Sequence, residues 1–362
     1  MAPSVTHITF SKDQMLPTRT TAGRLAVLAM ATLVANACTD SAADPLKLAP
    51  QAPLAAKIKS GPTHPAGILS QTVPLSGTWG IAVASTGEVL AAQPTANTIG
   101  GFSLSDPTTL RQTLPVDGWP LDIIVNAKGT VAYVSSGNTG NIDVIDIKSN
   151  TKTDTIPLVQ NIYRLRLAKN EAKIYATTLG GELWAAPLKG GGKKQKASIN
   201  FGTGSAVNGA SLSPSYTDLY AASTNGTIWR LDPETLAIRG QVSLPYTIQD
   251  IAVTPDGTAL WAAGENGYVL RLDPMTLAVT ATIWTGQYGY AGPFGLAISP
   301  DGARVYAAAS QSGTIYIISE PTPNTFDVGA IVVGGDPRRI AFSADGSTAV
   351  VSNYYTGVHI IQ

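Results

Sequence analysis

One unit recurs seven times along this chain, and a repeat of that length restricts the architecture more than any single segment can. Its anchor is an apolar residue at Ile81, Ile123, Leu165, Ala210, Ile251, Leu296 and Ile340. Successive anchors lie 42, 42, 45, 41, 45 and 44 residues apart. Six residues past each anchor stand Gly87, Gly129, Glu171, Tyr216, Gly257, Gly302 and Gly346. Ten residues past it stand Ala91, Tyr133, Tyr175, Tyr220, Trp261, Tyr306 and Val350. Glycine holds the first register in five units and an aromatic holds the second in five, so the units share one local structure.

The fifth unit shows what that structure is. Ile251-Ala252-Val253 predicts a short apolar strand, and Thr254-Pro255-Asp256-Gly257 a tight turn with proline fixing one φ and glycine accepting a positive one. Leu260–Ala263, Tyr268–Leu272 and Leu277–Trp284 predict three further strands separated by Glu265-Asn266-Gly267 and Asp273-Pro274. Apolar residues sit at consecutive positions, so both faces of this four-stranded antiparallel meander must be covered. Packing such sheets face to face around an axis covers them. The expected fold is all-β, a seven-bladed β-propeller spanning residues 67–362.

The two ends predict how the ring closes. The last unit runs Arg339–Phe342, Thr348–Ser352 and Val358–Ile361 and then lacks a fourth strand. Thr72-Val73-Pro74-Leu75 belongs to no unit, yet it matches fourth strands such as Thr155-Ile156-Pro157-Leu158, Thr113-Leu114-Pro115-Val116 and Gln241-Val242-Ser243-Leu244. The N-terminal segment is therefore expected to complete the last blade. Proline is tolerated there because that strand is an edge.

The units resemble the YVTN-type propeller repeats of bacterial and archaeal surface and periplasmic proteins. Tyr133-Val134-Ser135-Ser136 followed by Ile142-Asp143-Val144-Ile145-Asp146 carries the likeness, as do Val350-Val351-Ser352-Asn353 and the Pro-Asp-Gly turns at Pro255 and Pro300. The Trp-Asp pair of another large propeller class is absent; third strands end in Ile145-Asp146, Leu231-Asp232 and Leu272-Asp273. This resemblance speaks to fold, because the residues that carry it are structural.

Residues 1–37 read as a secretory signal: Lys12, Arg19 and Arg24 precede the apolar run Leu25–Ala35, which is too short for an ordinary membrane span. Ala35-Asn36-Ala37 has the small-x-small form of a cleavage site, and Cys38, the one cysteine, follows it. This arrangement resembles a bacterial lipoprotein signal, which implies lipidation of Cys38 and export to the periplasm or cell surface. The lipoprotein pattern prefers leucine where this chain has Ala35, so a plain secreted protein is the other reading. Thr39 after the cysteine resembles outer-membrane lipoproteins. Residues 38–66, rich in alanine and proline, read as a tether.

Lysine plus arginine equals aspartate plus glutamate at 24 each, which removes the electrostatic case for a nucleic-acid partner. The one basic cluster, Lys189, Lys193, Lys194 and Lys196 around three glycines, reads as a solvated turn. Of three histidines, only His359 lies in the propeller, so no histidine pair at zinc spacing exists there, and no nucleophile elbow accompanies it. No Walker loop or dinucleotide fingerprint is present, and no cofactor is expected.

The loop before each first strand and the loop between strands two and three emerge on one face, so the channel mouth there is the candidate site. The residues just before the anchors supply Trp79, Asp122, Tyr163, Arg164, Asn208, Gln249, Asp250, Phe294, Arg338 and Arg339, while Gly80, Gly209 and Gly295 occupy three of these places. The second loops add Asn138, Glu182, Asn225, Glu265, Asn266, Gln311, Asn353, Tyr354 and Tyr355. Two readings of the charged members are open. They contact a ligand or partner, or Asp122, Arg164, Asp250 and Arg339 pair with one another and plug the channel.

The leading functional expectation is a monomeric interaction module on the cell envelope, offering its mouth to a protein or small ligand and tethered to a membrane by lipid. A lactonase-like hydrolase is the alternative, because some seven-bladed propellers related to this repeat family have that activity. It would use Asp122, Asp250, Asn208 and Glu265, possible oxygen ligands for calcium. A passive sensor subunit of a larger complex is a third.

Overall fold

The computed structural model describes residues 67–188, 196–202, 204–285 and 292–362. The signal, the tether with Cys38, and Lys189, Lys193 and Lys194 lie outside them. The described residues contain no helix and form seven antiparallel sheets, six of them meanders of consecutive strands. The inner strands, numbered here by blade from one to seven, are Ile81–Val83, Pro120–Val125, Ile162–Leu167, Val207–Leu212, Ile248–Val253, Pro293–Ile298 and Pro337–Phe342.

Blade five follows the sequence expectation closely, with strands Ile248–Val253, Leu260–Gly264, Tyr268–Leu272 and Val279–Trp284. Its second strand is buried at every position, on both faces. Trp261 and Ile283 pack with Leu296, Val305 and Ile318 of blade six, so each blade covers the face of the next. Outer strands alternate toward solvent, as edges of the ring should.

The two sequence registers have separate physical causes. All seven residues six past the anchor adopt positive φ, from 51° at Glu171 and 59° at Tyr216 to 88° at Gly87. The turn imposes the left-handed backbone, and glycine is merely its cheapest occupant. Ten past the anchor, the Tyr175 and Tyr220 hydroxyls donate to the carbonyls of Pro233 and Pro274, at 2.9 and 3.0 Å. Those carbonyls lie in the next blade's outer turn, so this register staples neighbours together.

Blade one departs from expectation. Its fourth strand is broken into Asp106–Leu110 and Leu114–Pro115, both paired with Thr98–Ser103. Between the two pieces the Arg111 side chain turns inward to Glu88 and the Ile147 carbonyl, which interrupts a continuous edge.

Closure occurs as expected. Leu69–Val73 pairs antiparallel with Gly357–Ile361, from Leu69 opposite Ile361 to Val73 opposite Val358, and completes the last blade. Val73 and Leu75 join the core between blades seven and one. A buried histidine pins the junction. Asn353 Oδ1 accepts backbone N–H groups from Asp336, Tyr355 and Thr356, which fixes its amide so that Nδ2 donates to His359 Nε2 at 3.1 Å. Nε2 must then be the lone-pair nitrogen, and Nδ1–H donates to Thr72 Oγ1 of the closing strand at 2.9 Å.

Burial pushes His359 down to about 4 from an ordinary 6.5. Above pH 6.5 the imidazole is neutral in both the folded and the unfolded chain and adds no pH dependence. Below it the unfolded chain takes up a proton that the folded chain refuses. Stability should fall by about 1.4 kcal/mol per pH unit from this group alone as pH drops toward 4. Urea midpoints from pH 7 to 4.5 should show a shallower decline for His359→Gln than for the parent; parallel curves would remove His359 from the closure.

Candidate functional site

A repeated irregularity in the inner strands builds the mouth. In six blades the pairing of strand one with strand two skips a place just before the anchor, as between Ile162 and Arg164 or Ile248 and Asp250. Such a bulge re-aims side chains that regular alternation would send to opposite faces. In blades three to six the skipped residues are Tyr163, Asn208, Gln249 and Phe294. Backbone bonds from Asn138 to Gly118, Glu265 to Thr247 and Tyr354 to Asp336 hold the second loops beside the first, so both loop sets share one face.

Next to the bulge lies a ring formed by Gly80, Asp122, Arg164, Gly209, Asp250, Gly295 and Arg339. Three of its members are glycine because the neighbouring inner strand lies too close for a side chain. A Cβ on Gly80 would meet the Asp122 backbone at 2.8 Å, and one on Gly295 the Arg338 carbonyl at 2.0 Å. The four charged members form one ionic plug. Arg164 Nη2 donates to both Asp250 oxygens at 2.7 and 2.6 Å, and its Nη1 to Asp122 at 3.3 Å. Arg339 Nη1 reaches Asp250 Oδ2 from the far side at 3.0 Å. Both carboxylates also accept backbone N–H groups from a following blade, Leu165 onto Asp122 and Leu296 onto Asp250.

Burial alone would push the Asp250 carboxyl up, but the Arg164, Arg339 and Arg166 charges hold it below the ordinary carboxylate value. Burial works against the charge of Arg164 as well, and its two carboxylate partners outweigh it and raise that arginine. Arg339 is lowered by burial and by repulsion from Arg164. Arg166 was not among the predicted residues. It stands two places after Arg164, so the strand's period of two turns it to the same channel. Its Nη atoms lie 3.8 Å from Asp122 and 4.0 Å from Asp250. Burial, then the Arg164 charge, push Arg166 down to about 10, which leaves it charged at neutral pH.

On the solvent side of the plug sits an aromatic group. The Arg338 guanidinium lies 4.3 Å from the Trp79 ring and 4.6 Å from the Phe294 ring, and it pairs with Asp336. Trp79 meets Phe294 and Tyr354 edge-on at 5.9 and 6.3 Å, and Tyr354 meets the exposed Tyr355 at 5.3 Å. Trp79 Nε1 has no hydrogen-bond partner in the protein. Arg339 joins this group to the plug, facing Phe294 at 5.1 Å and Tyr163 at 5.3 Å.

The structure thus brings Trp79, Phe294, Arg338, Arg339, Tyr163, Asp250, Arg164 and Asp122 into one continuous set of contacts. Asn208 and Gln249 stand in a second network, in which Asn208 Nδ2 donates to Gln249 at 2.6 Å and Gln249 Nε2 to Glu265 at 2.9 Å. The candidate calcium donors are therefore divided. Both Asp250 oxygens face arginines, Asn208 and Glu265 serve the second network, and no metal-holding group of three acidic, histidine or cysteine residues occurs among the described residues. Trp119 is a further mouth residue that the repeat register does not mark. It is 37% exposed, has φ of 62°, and is held through its N–H by Asn97 Oδ1 at 2.7 Å.

No model of a known family matches the chain, and no curated protein sequence matches it. Two solved structures illustrate the fold. A chain of the Kuenenia stuttgartiensis hydrazine synthase superposes with a TM-score of 0.70 at 15% identity, covering 83% of this chain and 99% of that one. A chain of a mitotic checkpoint complex superposes with a TM-score of 0.72 at 14% identity, covering 90% and 98%. At such identities the likeness is one of fold, and it places the chain among the β-propellers.

Asp250 is the hub of the plug, so its loss strands buried guanidinium charge. Asp250→Ala should lower unfolding free energy by about 3–5 kcal/mol. A change below about 1 kcal/mol in denaturant melts would mean that the plug does not couple the blades.

Proposed function

We propose that this chain is an exported interaction module of the bacterial cell envelope, built from YVTN-type repeats and lipid-anchored through Cys38, whose mouth face docks a partner segment. The observation that carries the reading is the aromatic and arginine group at the mouth. Trp79, Phe294, Arg338, Tyr354, Tyr355 and Trp119 supply large contact area with few free rotamers, the composition of residues that dominate binding energy at interfaces. Trp119 supports it further. A bulky residue in left-handed backbone costs free energy, and such strain clusters where a surface is held for use.

The hydrolase alternative draws less support. A carboxylate acting as base or metal ligand needs a free oxygen, whereas Asp250 is buried and held by arginines on both oxygens. Catalysis there would first require the plug to open. The plug residues are better read as the rigid floor beneath the docking face.

Two outcomes are expected. Photo-crosslinkers placed at Trp119 and Tyr355 in cells should capture the same envelope partner, and one at Lys128, an exposed residue in a first-to-second-strand loop on the other face, should not. Trp79→Ala should weaken that capture by tenfold or more with an unchanged melting temperature, as loss of a central aromatic worth about 2 kcal/mol would. Equal crosslinking from both faces would overturn the choice of face, and lactone hydrolysis abolished by a chelator would favour the enzyme. Separately, Cys38→Ala should move the protein from the membrane to the soluble fraction, and persistent membrane association would count against lipidation.

A further inference from the structure

The channel carries one more positive charge than its carboxylates can neutralise, with Arg164 and Arg339 buried and Arg166 half-buried. Three guanidiniums, Arg164, Arg166 and Arg339, gather around Asp250, and Asp122 is the only other carboxylate of the plug. Asp336 is taken by Arg338 at the mouth. A buried charge needs a counter-charge or water, because the cost of leaving it bare runs to several kcal/mol.

Arg164 keeps a single unpartnered donor, its Nε, and the larger sets of spare donors fall on the other two arginines that surround Asp250. The Arg339 side chain is 3% exposed, yet its Nε and Nη2 have no partner. Arg166 makes one hydrogen bond, from Nη1 to its neighbour's carbonyl at Leu165, and its other contacts are the long approaches to Asp122 and Asp250. Arg339 approaches Asp250 Oδ2 and Arg166 approaches Oδ1, so the two spare donor sets flank one carboxylate.

The surroundings set the size and charge of what could sit there. The residues level with Arg166 on the other inner strands are Ala82, Ile124, Ser211, Ala252, Ala297 and Ala341. All six are uncharged, so no second charge stands at the level of Arg166. A divalent anion would overcompensate a surplus of one and would pay a larger desolvation cost. A planar carboxylate fits forked guanidinium donors, which bind such groups in pairs of hydrogen bonds.

We propose that the propeller channel is a binding site for one small monocarboxylate anion, held between Arg166 and the free edge of Arg339 beside Asp250. Its place beneath the mouth makes it independent of the docking partner. Bound there, the anion balances the plug and ties the inner strands of blades three and seven through a shared ligand, so it stabilises the closed ring.

The test uses the full chain, titrated with sodium acetate at constant ionic strength and followed by calorimetric binding and melting temperature. Acetate should bind at one saturable site and raise the melting temperature, with phosphate at least tenfold weaker. Arg166→Gln, which leaves two arginines and two aspartates in balance, should fold and reduce acetate affinity by tenfold or more. Arg166→Lys keeps the charge and should retain binding within a few-fold. An acetate effect that tracks ionic strength without saturating, that chloride reproduces equally, or that survives in Arg166→Gln would overturn the site. Should Arg166→Gln fail to fold, the stoichiometry and acetate preference of the parent decide, and absence of a single saturable site there refutes the proposal.

Discussion

Everything in this fold depends on the pairing of Leu69–Val73 with Gly357–Ile361. Blades stacked in an open arc would leave the outer faces of the first and last blades bare, and those faces are apolar. Val73, Leu75, Val350, Val358 and Ile360 meet Ile81, Val89, Ala91 and Phe102 across the junction. One five-residue strand thereby buries a blade interface whose partners lie about 280 residues apart, a contact that forms late and at high loop-closure cost. The His359–Asn353–Thr72 chain makes this strand specific as well as apolar. A slipped strand would present Gln71 or Val73 to Nδ1 in place of the Thr72 hydroxyl.

Closure in turn forces the chemistry of the axis. Seven inner strands converging on one line leave no room for seven side chains in each ring. Three positions are glycine, each against the backbone of a neighbouring blade. The space so freed takes the long side chains of Arg164 and Arg339, which cross the channel to Asp250. A buried ion pair of this kind is weak as a source of stability but strong as a constraint on geometry, because each partner punishes the displacement of the other. The plug thus fixes blades two, three, five and seven against one another, and the aromatic group at the mouth rests on that fixed floor through Arg339.

Much of this was legible in the sequence, and the boundary of legibility is physical. A repeat exposes whatever every blade must solve in the same way: the anchor, the left-handed turn six residues later, the aromatic ten residues later. The structure extends the left-handed turn to Glu171 and Tyr216, where no glycine marks it. The break in blade one was invisible because it arises from Arg111 reaching Glu88 and Ile147, a contact of one blade alone. Trp119 escaped for the same reason, lying outside the repeated offsets. Pairing of Asp122, Arg164, Asp250 and Arg339 could be raised from the sequence as an alternative. It could not be decided there, because the answer depends on which blades face each other across the channel.

Arg166 is the most instructive omission. The chain as a whole carries 24 positive and 24 negative side chains, and that balance argued against a nucleic-acid partner. Net charge, however, describes what a distant ion or polymer feels, since charges on the surface are screened beyond about 10 Å. Inside a narrow channel the relevant sum runs over a handful of groups, and there three arginines face two aspartates. The signal was present as a single arginine at a position where the other six blades carry alanine, isoleucine or serine. In a repeat protein, conformity across units reports on folding. A charged exception at a half-buried register, such as Arg166, is therefore a place to look for something that the fold itself does not require.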